Sequence, residues 1–197
     1  MTAMTNPSSR WTQREIVVAA AIGVVFGVLY LAWVQVWLVA QGIIGPLALD
    51  IFFGFWCVAS IVAAYVVRKP GAAFFTEVVA AVAEVATGNP AGLILLLTGV
   101  VQGAGAELAF AATRWKRYDL AVLLAAGACA ALFSFVYTWI RFNYGALAPG
   151  LLVAMFAIRV VSGMVLAGLL GRAIALALHR TGSLDGLAID EERRGAA

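Results

Sequence analysis

The chain has 197 residues, of which 64% are hydrophobic and 12% charged. A water-soluble domain of that length has no means of hiding so much apolar surface, so part of its surroundings is lipid. The formal net charge of +3 sits in short basic clusters between apolar runs, which points away from nucleic acid as a partner.

Six apolar runs approach the about 20 residues that a helix needs to cross the hydrocarbon layer. They cover roughly 15–40, 46–67, 71–87, 91–113, 119–141 and 149–178, and turn-forming stretches separate them: "QGIIGP", "RKPG", "TGNP", "RWKRYD" and "NYGALAPG". The expected fold is an all-α membrane protein of six transmembrane helices. A polar tail at 1–12 precedes the bundle at 13–179, and a second polar tail follows at 180–197.

The first run follows Arg10 and Arg14 but is too long for a signal peptide and has no small-x-small cleavage site, so it counts as a span. Its first half carries Ala19, Gly23 and Gly27, a ladder of small residues that lets another helix come close, either in the same chain or in another subunit. Its second half carries Tyr30, Trp33 and Trp37. Asp50 enters the second run near its outer end, and Trp56 follows it.

The third run holds Glu77 and Glu84, seven residues apart and therefore on one helical face to within about 20°. A charged side chain at the centre of a membrane helix costs roughly 2.5–3.5 kcal/mol on insertion scales, so two on one helix call for a reason. The "GNP" turn after them supplies Asn89. In the fourth run Gln102 lies near the depth of Glu77, while Gly99, Gly103 and Glu107 form a packing seam ending in a carboxylate. The fifth run ends in "SFVYTWIRFNY", with Tyr137 open to either an interfacial or a ligand-facing role and Trp139 and Tyr144 read as interfacial residues. The sixth brings Arg159 near mid-depth. His179 closes that run as a helix-end residue beside the headgroups.

Lysines and arginines distribute unevenly between the two ends of these runs. Arg10, Arg14, Arg68, Lys69, Arg114, Lys116, Arg117, Arg172, Arg180, Arg193 and Arg194 fall on one side and Arg141 on the other, which predicts both termini in the cytoplasm. Cys57 and Cys129 lie inside apolar runs and read as small buried hydrophobes, with no spacing that suggests a disulfide or a metal site. No nucleotide-binding loop, cofactor motif or catalytic pair is evident. Ser60, Ser134 and Ser162 have no histidine within the spans to activate them.

An internal salt-bridge network, with Arg159 neutralising Glu107 or another glutamate, accounts for some of the buried charge. It does not account for all of it, because Glu77, Glu84 and Glu107 outnumber that one cation. The polar and aromatic groups gather in the outer half, which predicts a pocket opening outward and suited to a flat, positively charged ligand.

These features resemble the S components of energy-coupling factor (ECF) transporters. "RKPGAA", the Glu77/Glu84 pair, "GNP", "QGAGAE" and "TRWK" look most like the YkoE group, over nearly the whole chain from Trp11 to about Gly186. The resemblance implies a high-affinity vitamin-binding subunit in the plasma membrane of a prokaryote, binding thiamine or its hydroxymethylpyrimidine moiety from outside. It implies as partners a transmembrane coupling subunit, facing Ala19, Gly23 and Gly27, and two cytoplasmic ATPases. The candidate binding set is Glu84, Glu77, Gln102, Trp56, Tyr137, Trp33, Trp37, Asn89 and Asp50, with the 1–2 or 3–4 connection closing over the ligand. The alternatives are an S component for another small vitamin and a stand-alone proton- or cation-coupled carrier.

Overall fold

A computed structural model describes residues 10–190, and all the regular secondary structure within them is helical. The outer parts of the two expected tails, including Arg193 and Arg194, lie outside the described residues.

Helix α1 (Gln13–Ile44) begins in a capping box: Thr12 Oγ1 accepts from the Glu15 amide, and Glu15 Oε2 accepts from the Thr12 amide at 2.7 Å. Glu15 also pairs with Lys69 at 2.8 Å, joining the start of α1 to the turn before α4. The second run is one span in two α-helical pieces. Helix α2 (Leu47–Phe52) passes through a 3-10 segment, Phe53–Cys57, into α3 (Val58–Val67).

Helix α4 (Ala72–Ala86) is followed by α5 (Ile94–Ala112) and α6 (Leu120–Arg141). Asp119 caps α6, accepting from the amides of Ala121 and Val122 at 3.1 and 3.4 Å. After a 3-10 turn at Tyr144–Ala146, Pro149 opens α7 (Pro149–Ser162), which continues through a π-helical segment, Gly163–Leu169, into α8 (Leu170–Arg180).

Among the described residues, five helical stretches are long and apolar enough to cross a membrane: Gln13–Ile44, Leu47–Val67, Ile94–Ala112, Leu120–Arg141 and Pro149–Arg180. The third apolar run, expected as a span, folds as the 15-residue α4. At about 1.5 Å per residue it is some 22 Å long, short of the about 30 Å hydrocarbon layer. Pro70 and Gly71 limit it at one end, and Gly88, at φ +92°, limits it at the other.

Helix α4 is the centre of the assembly rather than a lipid-facing rod. One side packs on α1, where a Cβ on Gly27 would meet Ala80 O at 2.5 Å and one on Gly23 would meet Thr76 O at 2.8 Å. The other side packs on α5, where Gly99 meets Ala81 and Gly103 meets the Cβ of Glu77. Gly23 and Gly27 of the expected ladder thus pack against this chain's own α4.

Glu107 accepts from the amides of Gly71 (2.7 Å), Ala73 (3.0 Å) and Phe74 (3.2 Å) at the start of α4, and from Trp115 Nε1. It satisfies the open amides of a helix whose own N-cap is a glycine and so cannot do so. The expected network of Glu107 with Arg159 does not form, because the two residues serve opposite ends of the bundle.

Part of the segment expected as a polar tail packs back on the bundle. Leu184, Leu187 and Ile189 are buried, and His179 Nε2 lies 3.3 Å from Asp190 Oδ1. Cys57 is buried and Cys129 half-buried, and both are free thiols.

Candidate ligand-binding site

At the end of the bundle carrying the α1–α2, α4–α5 and α6–α7 connections lies a cavity of about 360 Å³. Small-molecule pockets span about 300–1,000 Å³, so this one suits a small ligand and not a peptide. The basic clusters Arg68–Lys69 and Arg114–Arg117 lie at the opposite end of the same helices.

Helix α1 contributes Tyr30, Val34 and Trp37 to the wall; Phe53 and Trp56 come from the 3-10 segment. That segment matters locally. Its tighter turn departs from α-helical phasing between α2 and α3, and two of its aromatic residues face the cavity. Trp37 and Trp56 meet edge to face, with centroids 6.2 Å apart and planes at 80°, so they form a corner with a face free for a flat ring.

Helix α4 provides the acids. Glu84, 4% exposed, accepts from Asn89 Nδ2 at 2.6 Å. Glu77, 2% exposed, accepts from the Ser60 amide at 3.3 Å and lies 2.6 Å from Ser60 Oγ. Ser60 Oγ is also 2.9 Å from Cys57 O, and its single proton serves one acceptor at a time. Both carboxylates are thus held by neutral donors while facing the cavity. Gln102 on α5 and Tyr137 on α6 complete the polar part of the wall, and Tyr137 Oη lies 3.5 Å from Thr98 Oγ1.

Of the nine residues expected to bind ligand, the structure brings Glu84, Glu77, Gln102, Trp56, Tyr137, Trp37 and Asn89 to one wall. It places Trp33 and Asp50 elsewhere. Trp33 lies about 100° around α1 from Val34, which turns it toward α2. There its Nε1 donates to Phe52 O at 3.1 Å and its ring stacks on Phe55 at 4.3 Å.

Asp50 is fully buried and accepts from Arg159 Nε at 2.6 Å. The acid that Arg159 neutralises is therefore Asp50 and not a glutamate. Arg159 Nη1 also donates to Thr138 Oγ1 at 2.6 Å, and the guanidinium lies 5.4 Å from the Phe53 ring and 5.2 Å from the Phe135 ring. Ions this deep persist when paired; this pair ties α2, α6 and α7 together with Arg159 on the cavity wall, while Asp50 Oδ2 and Arg159 Nη2 have no hydrogen-bond partner.

Sequence reasoning missed Phe53, Thr98, Ser134 and Thr138 as wall residues. The signal for two of them was present: Ser134, Thr138 and Arg141 recur at helical spacing on α6 and share a face with Tyr137. Phe53 offered none, because its orientation depends on the 3-10 turn.

Comparison with known proteins agrees with this geometry. Residues 14–133 match the family of ABC-type cobalt transport system permease components. The chain is 44% identical over 182 residues, 92% of each chain, to YkoE of Bacillus subtilis (strain 168), a protein named as an HMP/thiamine permease. A crystal structure of an S-component of an ECF transporter superposes with a TM-score of 0.92 at 43% identity, covering 95% of each chain. With this identity, this coverage and a shared helical architecture, the chain belongs to the S components of ECF transporters, in the YkoE group.

Proposed function

We propose that this chain is the high-affinity substrate-binding subunit of an ATP-driven vitamin importer, and that its ligand is thiamine or the hydroxymethylpyrimidine part of it. The observation that carries the reading is the pair of carboxylates, Glu77 and Glu84, on the wall of a small, largely apolar cavity with tryptophan faces beside them. Thiamine offers a flat aminopyrimidine and a fixed positive thiazolium. A carboxylate accepting from the amino group contributes about 1.5–3 kcal/mol, and an aromatic face over the cation adds about 0.5–2 kcal/mol. The name of the Bacillus subtilis relative points to the same ligands.

In this reading the six apolar runs form six membrane passes, with α4 as a short central pass and both termini in the cytoplasm, so that the cavity opens outward. The partners are a transmembrane coupling subunit and two ATPases, which drive reorientation and release on the cytoplasmic side. The small-residue side of α1, with Ala19, Gly23 and Gly27, is the face this reading assigns to the coupling subunit, and Gly23 and Gly27 pack there against α4 as well.

The test is thermal unfolding of the purified protein with each compound. A ligand at about one hundred times its Kd stabilises the folded state by about 2.7 kcal/mol, a readily measured rise in Tm. No rise with thiamine or with hydroxymethylpyrimidine overturns the substrate assignment.

A further inference from the structure

Among the described residues, two side chains of the cavity wall keep a buried hydrogen-bond donor that the fold leaves unserved: Trp37 Nε1 and Arg159 Nη2. Arg159 is itself fully buried. Its Nε is taken by Asp50 Oδ1 and its Nη1 by Thr138 Oγ1, each at 2.6 Å. Thr138 has nothing further to offer, since its own proton goes to the carbonyl of Ser134 or Phe135, at 2.9 and 3.0 Å. Tyr144 approaches the same guanidinium without serving Nη2. Asp50 Oδ2 is the nearest rival for it, because Nη2 shares an edge of the guanidinium with Nε and a side-on pair would use both oxygens. Yet Oδ2 too is without a partner.

We infer that Arg159 is a specificity-determining residue of the cavity, its Nη2 donating to a hydroxyl oxygen of the ligand. Two sides of the cavity ask for opposite chemistry. Glu77 and Glu84, on α4, are acceptors and call for N–H or O–H donors. Arg159, on α7, has donors only and calls for a lone pair. Helix α4 packs on α1 and α5, and α7 packs on α2 and α6, so the two demands come from different walls. A ligand with a planar amino group and a hydroxyl meets both, and hydroxymethylpyrimidine and thiamine each carry one of each. The guanidinium is already paired with Asp50, which favours a neutral oxygen there over a carboxylate or a phosphate. A ligand with no acceptor at that place excludes water from Nη2 and leaves a buried charged donor open. Pockets built for a hydroxyl reject analogues lacking it in this way.

This inference rests on the proposed function, and its test separates the two. Hydroxymethylpyrimidine and thiamine are each titrated beside two counterparts, one with hydrogen in place of the hydroxyl and one with an ammonium there. The wild type is expected to bind the hydrogen counterpart about 10- to 100-fold more weakly than the parent, the size of one hydrogen bond to a charged donor. The ammonium brings donors only and is expected to bind more weakly still. Equal affinity for parent and hydrogen counterpart overturns the inference. So does an ammonium that binds as tightly as the hydrogen counterpart or more tightly, which would put that group on the glutamates instead. In Asp50→Asn together with Arg159→Met both charges are gone, and the preference for the hydroxyl is expected to disappear; a preference that persists overturns the inference. Should the double variant fail to fold, the wild-type series decides by itself. A wild type that binds neither parent compound overturns the functional reading and this inference together, whereas binding that ignores the hydroxyl overturns the inference alone.

Discussion

Glu84 and Arg159 are both buried polar side chains, yet they carry different kinds of consequence. Glu84 faces the cavity and is held by the neutral Asn89 amide, so no counter-charge competes with a ligand for it. Glu84→Gln is expected to weaken thiamine binding more than tenfold, measured by titration with little change in the Tm of the unliganded protein, because the loss of about 1.4 kcal/mol or more falls on the ligand contact. Arg159, also on the cavity wall, gives Nε to Asp50 and Nη1 to Thr138 and has no partner for Nη2. Arg159→Met leaves Asp50 buried without its counter-charge, at a cost of about 3–5 kcal/mol, and thermal unfolding should show a large loss. Asp50→Asn together with Arg159→Met should recover most of it. Outside the membrane, the hydrogen bond from Arg117 holds the Asp119 carboxyl below its ordinary value, at 2.9 Å. Its folded pKa being the lower, the stabilisation is complete above about pH 4 and is lost only as the pH falls through the depressed value. Asp119→Ala should abolish that part of the acid dependence and loosen the first turn of α6 by hydrogen exchange.

At the scale of elements, α4 shows how a helix too short to span the hydrocarbon is held in the middle of a bundle. Small residues of α1 and α5 let it be approached from two sides, and Glu107 of α5 supplies the cap that Gly71 lacks. Gly27→Leu should drive α1 away from Ala80 and Glu84, at about 1–3 kcal/mol for overpacking, and should weaken ligand binding as well, since its side chain would start 3.2 Å from the Glu84 amide. Glu107→Gln should lower stability by about 0.5–2 kcal/mol, the size of a lost cap, while leaving affinity unchanged because Glu107 lies away from the cavity wall. Stability from denaturation and affinity from titration, measured on the same two variants, separate the packing role from the capping role. The seam of Gly99, Gly103 and Glu107 was readable from spacing alone. Its partner was not, because a small-residue stripe states that something approaches and leaves open what.

For the whole molecule, the cavity lies at one end of the helices and the basic turns at the other. If the basic end is cytoplasmic, a membrane-impermeant thiol reagent added outside intact cells should label Ala146→Cys and spare Lys116→Cys. In vesicles the isolated chain is expected to bind thiamine without accumulating it. Accumulation driven by an ion gradient with no ATPase present would instead identify a stand-alone carrier.

The sequence by itself determined that the chain lives in lipid, that it is helical, and which polar residues have to share the interior. Those facts follow from hydropathy, from helical period and from the high cost of burying charge, all of which are local or additive. It also placed Glu84, Glu77, Gln102, Trp37 and Trp56 as candidates that folding then brought to one wall. Only the tertiary structure decided which acid Arg159 neutralises, which side of α1 Trp33 occupies, and that α4 packs on Gly23 and Gly27 of the small-residue ladder. Such choices depend on the rotation and depth of one helix against another, set by distant contacts such as Gly27 on Ala80 and Asp50 on Arg159. A residue's place along its own helix does not contain that information.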